Sequence, residues 1–125
     1  MKWTTPHGRL DAAWCRNKRG QDIILVELED EWVVEGRLRV DRDDPSTAHL
    51  QQILVNPHHR GRGHGGRCLK EICRWLDRRC LICTLDVIPY DGSRADLERL
   101  AAWYARHGWE WVEAGEMIRM PGGGT

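Results

Sequence analysis

The stretch Val55-Asn56-Pro57-His58-His59-Arg60-Gly61-Arg62-Gly63-His64-Gly65-Gly66 decides how the chain reads. Glycine permits left-handed backbone and lets a ligand come close to the main chain. Ahead of the stretch, His49–Val55 is a β-like run stopped by Asn56-Pro57. Behind it, Leu69, Ile72, Cys73 and Leu76 recur at helical spacing within Arg67–Arg79, and Cys68 and Trp75 widen the stripe. A strand that ends in a glycine loop and feeds a helix start presents unpaired N–H groups and the positive end of the helix dipole. That is the make-up of a phosphate site built from backbone. No Gly-Lys-Ser/Thr closes the loop, so it is not a Walker loop. Gly61, Gly63 and Gly66 fit the letters G-x-G-x-x-G, but a hairpin meander precedes them. No acidic residue follows a second parallel strand, as a dinucleotide fold requires.

Outward from the loop, Asp22–Leu28 is β-rich, and Trp32–Val40 alternates with Trp32, Val34, Gly36, Leu38 and Val40 on one face. The acidic turn Glu29-Asp30-Glu31 joins the two runs into an antiparallel hairpin. A short strand is expected at Arg9–Cys15, and Asp41–Thr47 is a polar loop. On the other side, Cys80–Ile88 reads as a buried strand and Pro89-Tyr90-Asp91-Gly92 as a turn. Ser93 with Asp96 forms a capping box for a helix carrying Leu97, Leu100, Ala101 and Tyr104, with Arg106 and His107 in its last turn before Gly108. Trp109–Glu113 and Glu116–Met120 are closing strands. The order predicts one α/β domain of the α+β type over residues 1–125, with a mixed, mostly antiparallel sheet flanked by helices and a frayed tail at 121–125.

With 125 residues, one domain can bury a core of its own. No apolar run approaches the ~20 residues of a membrane span, and Met1–Pro6 lacks the apolar stretch of a secretory signal, so a cytoplasmic protein is expected. Net charge is zero, which gives no bulk attraction to nucleic acid. Within Arg60–Arg79, however, seven basic residues stand against two acids, a local excess that suits an anionic ligand. Five cysteines in such a chain do not suggest a disulfide framework. Cys80-Leu81-Ile82-Cys83 has zinc-ligand spacing, but Cys80 and Cys83 would alternate across one strand while Cys68 and Cys73 flank a helix stripe. Core cysteines and no metal are expected.

Val55-x-Pro57-x-x-Arg60-Gly61-x-Gly63-x-Gly65 resembles the acetyl-CoA motif of the GNAT superfamily of N-acetyltransferases, whose core is Arg/Gln-x-x-Gly-x-Gly/Ala. Tyr104-Ala105-Arg106-His107-Gly108-Trp109 resembles that family's Tyr-x-x-x-Gly-Phe, with Trp in place of Phe. The resemblance spans about residues 47–120. The short amino-terminal part is similar to compact phage-encoded members, including small anti-CRISPR acetyltransferases. It implies acetyl-CoA as cosubstrate and a primary amine as acceptor, a small molecule or a protein lysine or N-terminus, attacked directly in a ternary complex.

The resemblance also implies roles. Amides of Gly61, Arg62, Gly63, His64, Gly65 and Gly66 hold the CoA pyrophosphate, with the Arg60 and Arg62 side chains nearby. Backbone of Ile53, Leu54 and Val55 pairs with the pantetheine arm, and the sheet splays between this strand and the next. Tyr104 protonates the departing thiolate; a phenol of pKa about 10 suits a thiolate of about 8.5. The family's Glu base is absent from His49–Val55. His49 is the first candidate, because histidines exchange protons near neutrality, and Asp86 is the second. The family's frequent Asn falls on Leu97, so Ser93 or backbone takes over that contact. His58 and His59 are expected on the phosphate side or in solvent. A monomer or homodimer without membrane contact fits this reading. Two other classes stay open: a non-catalytic acyl-CoA-binding module, which has no use for Tyr104, and a small nucleic-acid-binding protein using the Arg60–Arg79 stripe.

Overall fold

The computed structural model describes residues 1–88, 93–113 and 115–122. Among the described residues, eight strands and two α-helices follow in the order β1 (Lys2–Thr5), β2 (Gly8–Arg16), β3 (Asp22–Leu28), β4 (Glu31–Val40), β5 (Thr47–Val55), α1 (His64–Arg78), β6 (Ile82–Asp86), α2 (Arg94–Ala105), β7 (Glu110–Glu113) and β8 (Glu116–Arg119). The strands form one mixed sheet in the order β1-β2-β3-β4-β5-β6-β8-β7. The pairs β1–β2, β2–β3, β3–β4, β6–β8 and β7–β8 are antiparallel, and β5–β6 is parallel. This is the α/β architecture expected from the sequence. The expected turn at residues 89–92 lies outside the described residues, as does most of the expected tail.

The chain packs as two compact units. One comprises Met1–Arg39 and Leu50–Ile72, the other Val40–His49 and Cys73–Thr125. In the first, β1–β4 form an antiparallel meander whose inward positions, Leu10, Ala12, Ile24, Val26, Val34 and Leu38, are fully buried. Cys68, Leu69 and Ile72 of α1 are buried with them, so the helical stripe read from the sequence is a core face. Gly36 is what lets them in. A Cβ there would stand 2.8 Å from Ile72 Cδ1, 3.0 Å from Ile24 Cγ2 and 3.3 Å from Cys68 Sγ.

Trp32 departs from the expected alternation. A bulge shifts the β3–β4 register, so that Val26 faces Val34 but Glu27 faces Trp32. Val33 is the extra residue; Val33 and Val34 are both buried, and Trp32 is turned outward.

In the second unit, β6 pairs in parallel with Thr47–His49 at the start of β5 and antiparallel with β8, and β7 closes the edge. Ser93 caps α2, its Oγ accepting from the Asp96 amide at 3.1 Å. The helix ends at Ala105, so Arg106 is its cap and His107 lies beyond it, short of the extent read from the sequence. The fully buried Arg119 anchors this unit. It donates to Asp77 Oδ1 at 2.7 Å and Oδ2 at 3.2 Å, and its Nε donates to the His107 carbonyl at 2.9 Å. The Gly122 amide adds a third bond to the same carboxylate.

Candidate functional site

In the first unit, Asn56 turns the chain off the end of β5. Its Oδ1 accepts from the His58 amide at 3.0 Å, and its Nδ2 donates to the Trp32 carbonyl at 2.7 Å. A 3-10 turn at Pro57–His59 leads into Arg60–Gly63, where Gly61 and Gly63 are left-handed at φ +77° and +76°. Helix α1 begins at His64, three residues earlier than its apolar stripe suggests, so Gly65 and Gly66 lie in its first turn and not in the loop. The first bond that closes the helix runs from the Arg67 amide to the Gly63 carbonyl, 3.1 Å. The amides of His64, Gly65 and Gly66 come before it, which leaves them outside the intrahelical ladder. Left-handed glycines followed by such amides form an anion-binding concavity.

The side chains around the loop divide into two sets. Arg60 and Arg62 are exposed. His64 is only 1% exposed, so what it can offer a ligand is its amide and not its imidazole. Burial first, and then the positive surroundings of Arg67, His59, His7 and Arg62, hold its pKa below the usual histidine value. His59 is also buried, in contrast to the expected place in solvent or beside phosphate, with Nε2 at 3.4 Å from Glu31 Oε2. Arg67 is half-buried and donates to the Arg62 carbonyl at 2.9 Å.

In the second unit, the two base candidates meet. The parallel register sets His49 opposite Thr84, with Asp86 two residues further along β6. His49 Nδ1 is 2.9 Å from Thr84 Oγ1, and His49 Nε2 is 3.7 Å from Asp86 Oδ2. Their side chains are 40% and 64% exposed, which leaves the pair open to solvent. Thr84 belongs to no motif; only the strand register reveals it. Tyr104 lies half-buried on α2, edge-on to Trp103 at 5.0 Å and to Trp109 at 5.8 Å between ring centroids. Ile53, Leu54 and Val55 are partly exposed.

The cysteines separate. Cys68, Cys73 and Cys83 are buried, but Cys15 and Cys80 are exposed, so those two are not core residues. Cys80 lies in a turn with φ +53°, before β6 begins. Burial pushes the Cys68 thiol up to about 12 and the Cys73 thiol up to about 11, which makes both poor nucleophiles. Among the described residues, no group of three or more His, Cys, Asp or Glu side chains is arranged to hold a metal. Among them, too, no helix is long and apolar enough to cross a membrane.

The model of the acetyltransferase (GNAT) family matches residues 1–109. The chain belongs to the GNAT family. Its fold recurs in solved acetyltransferases of low identity. An acetyltransferase from Thermus thermophilus is 20% identical with a TM-score of 0.62, over 80% of this chain and 64% of that one. The Escherichia coli ribosomal-protein-S18-alanine N-acetyltransferase is 16% identical with a TM-score of 0.65, over 85% and 72%. A GNAT acetyltransferase from Elizabethkingia anophelis with acetyl-CoA bound is 12% identical with a TM-score of 0.64, over 87% and 94%. This GNAT chain spans less than two thirds of the T. thermophilus protein and of a GNAT protein from Desulfovibrio desulfuricans, 64% and 65% of their lengths. No curated protein sequence matches it.

Proposed function

We propose that this GNAT chain transfers an acetyl group from acetyl-CoA to a primary amine by direct attack. The observation that carries the reading is the left-handed pair Gly61 and Gly63 immediately before the unladdered amides of α1. Amides from Gly61 to Gly66 take the pyrophosphate, and Arg60 and Arg62 add charge at the rim. Main chain at Ile53–Val55 takes the pantetheine arm as an added strand. Solved relatives holding CoA, from Thermoplasma acidophilum, and acetyl-CoA, from E. anophelis, support this donor.

An ammonium must lose a proton before it attacks a thioester. The Asp86 carboxylate draws the cationic acceptor, and His49 Nε2, 3.7 Å from Asp86 Oδ2, takes its proton. The amine then attacks the acetyl carbonyl, the C–S bond breaks, and the leaving thiolate takes a proton from the Tyr104 phenol. Acceptors with a free amine, small or borne on a protein, fit the open His49–Asp86 pair.

Calorimetric titration with acetyl-CoA and then CoA tests the donor side, with one site per chain expected. Acetylation of a panel of amines and lysine peptides by mass spectrometry then tests transfer. Binding without transfer to any amine would leave a non-catalytic acyl-CoA module. No binding at millimolar ligand would overturn the reading.

A further inference from the structure

We propose that His59 and His64 are positioning residues: their Nδ1 atoms hold the guanidinium groups of Arg62 and Arg67 and thereby set the glycine loop before any ligand arrives. The inference rests on the acyl-CoA reading above and adds residues that make no contact with the cofactor through their side chains. Arg62 NH1 is 3.3 Å from His59 Nδ1, and Arg67 NH1 is 3.2 Å from His64 Nδ1. A guanidinium can only donate. Each Nδ1 must therefore accept, so both imidazoles are neutral with the proton on Nε2.

The same Arg67 nitrogen donates to the Arg62 carbonyl at 2.9 Å and lies 3.8 Å from where a Cβ on Gly63 would stand. Arg67 thus reaches from the first turn of α1 back over the left-handed Gly63 and fastens the peptide before it. Ordinary packing does not account for the pair. His64 Nε2 is buried with no hydrogen-bond partner among the described residues, a cost that a leucine of similar size would avoid. The imidazole is retained for its other nitrogen. Around it stand the His7 ring at 6.1 Å and the His59 ring at 6.3 Å, with Glu31 beyond His59 as the acid of the cluster. Arg62, held by one nitrogen, keeps its remaining donors for an anion at the loop. A loop fixed in this way loses less freedom on binding.

The test is calorimetric titration of the full chain with CoA, using His64→Leu, His64→Asn, Arg67→Gln and the His64→Leu/Arg67→Gln double variant. Asn is the informative substitution because its Oδ1 stands where Nδ1 stood. His64→Leu and Arg67→Gln are each expected to weaken CoA about tenfold, the size of one charge-assisted hydrogen bond. The double variant is expected to be no weaker than Arg67→Gln alone, and His64→Asn to return to within about threefold of wild type. Penalties that multiply, or Asn as poor as Leu, would overturn the proposal. His59→Leu and His59→Asn repeat the comparison with Arg62→Gln.

Nitrogen NMR of the wild-type histidines supplies a readout that needs no variant to fold. His59 and His64 are expected neutral with Nε2–H at neutral pH, and a proton on Nδ1 of either would overturn the proposal. A wild-type protein that binds no CoA would refute the functional reading, and the tautomer measurement would still decide whether the histidines hold the arginines.

Discussion

Gly66→Ala separates what the first turn of α1 needs for folding from what it is kept open for. Gly66 is helical, its φ is not left-handed, and a Cβ there would meet nothing within 4 Å. Alanine should therefore stabilise the free protein by about 0.5–1 kcal/mol, the usual difference between the two residues in a helix. At ~2.1 cal/mol/K per residue the unfolding entropy of this chain is about 260 cal/mol/K, so Tm should rise by about 2–4 °C. In a helix the Cα–Cβ bond tilts toward the N-terminus. The new methyl thus points toward the space assigned to the pyrophosphate, and CoA affinity should fall at least tenfold, about the loss of one charge-assisted hydrogen bond. Gly63→Ala is the control with the opposite sign in stability. At φ +76° it forces a left-handed alanine, which costs about 1–2 kcal/mol and lowers Tm by about 4–8 °C. Thermal melts and CoA titrations on the two variants read both quantities. A raised Tm with unchanged CoA affinity for Gly66→Ala would refute the placement of the phosphates. A lowered Tm would refute the helical reading of Gly66.

Tyr104→Phe keeps the ring against Trp103 and Trp109, so kcat should fall about 10²-fold with CoA affinity held; an unchanged kcat sinks the acid role. Asp77→Asn leaves buried Arg119 without its counter-charge and should cost about 3 kcal/mol, the low end for a buried pair because Asp77 stays partly open to water, seen as a Tm drop of about 10 °C. Acid stability should fall in two windows. The lowered His64 contributes stability that is complete above about pH 6.5 and lost as pH falls below it, and the Arg119 and Gly122 bonds that lower Asp77 give a second loss below about pH 3.9. Tm profiles should lose the first step in His64→Asn and the second in Asp77→Asn, and a step that survives its variant assigns it elsewhere. Gly36→Ala overpacks Ile72 and Ile24 and should cost about 1–3 kcal/mol; combined with Ile72→Val, the loss in a denaturant titration should be smaller than the two single losses together.

Much of this is written in local sequence. β3 spans the same residues that the apolar run of Asp22–Leu28 suggests, because none of its residues is exposed and it needs no strict alternation. The Ser93 cap and the Asp96 partner are equally plain, since capping is a matter of four adjacent residues. Helix α1 starts ahead of its apolar stripe, where His64-Gly65-Gly66 are poor helix formers, and only the burial of His64 shows what holds them there. Trp32 leaves its expected face through a bulge, which adds one residue without changing composition. β1, four residues long with little apolar character, leaves no periodic signal. At the candidate site, the glycine loop is legible, but Thr84 beside His49 and Asp77 beneath Arg119 are meetings of residues 35 and 42 positions apart. Pattern within a window cannot disclose such pairs.

The division of the cysteines bears on how the protein can be assayed. In a test of the proposed transfer, CoA release can be followed with reagents that colour on reaction with free thiol, and Cys15 and Cys80, both exposed, are open to the same reagent. A turnover trace must begin from that background or from a chain with serine at both positions. Cys68 in one unit, and Cys73 and Cys83 in the other, are shielded until their surroundings open. Once the two exposed thiols are blocked, slow labelling of the remaining three is a clock for local opening, read separately in each unit without a cysteine being introduced.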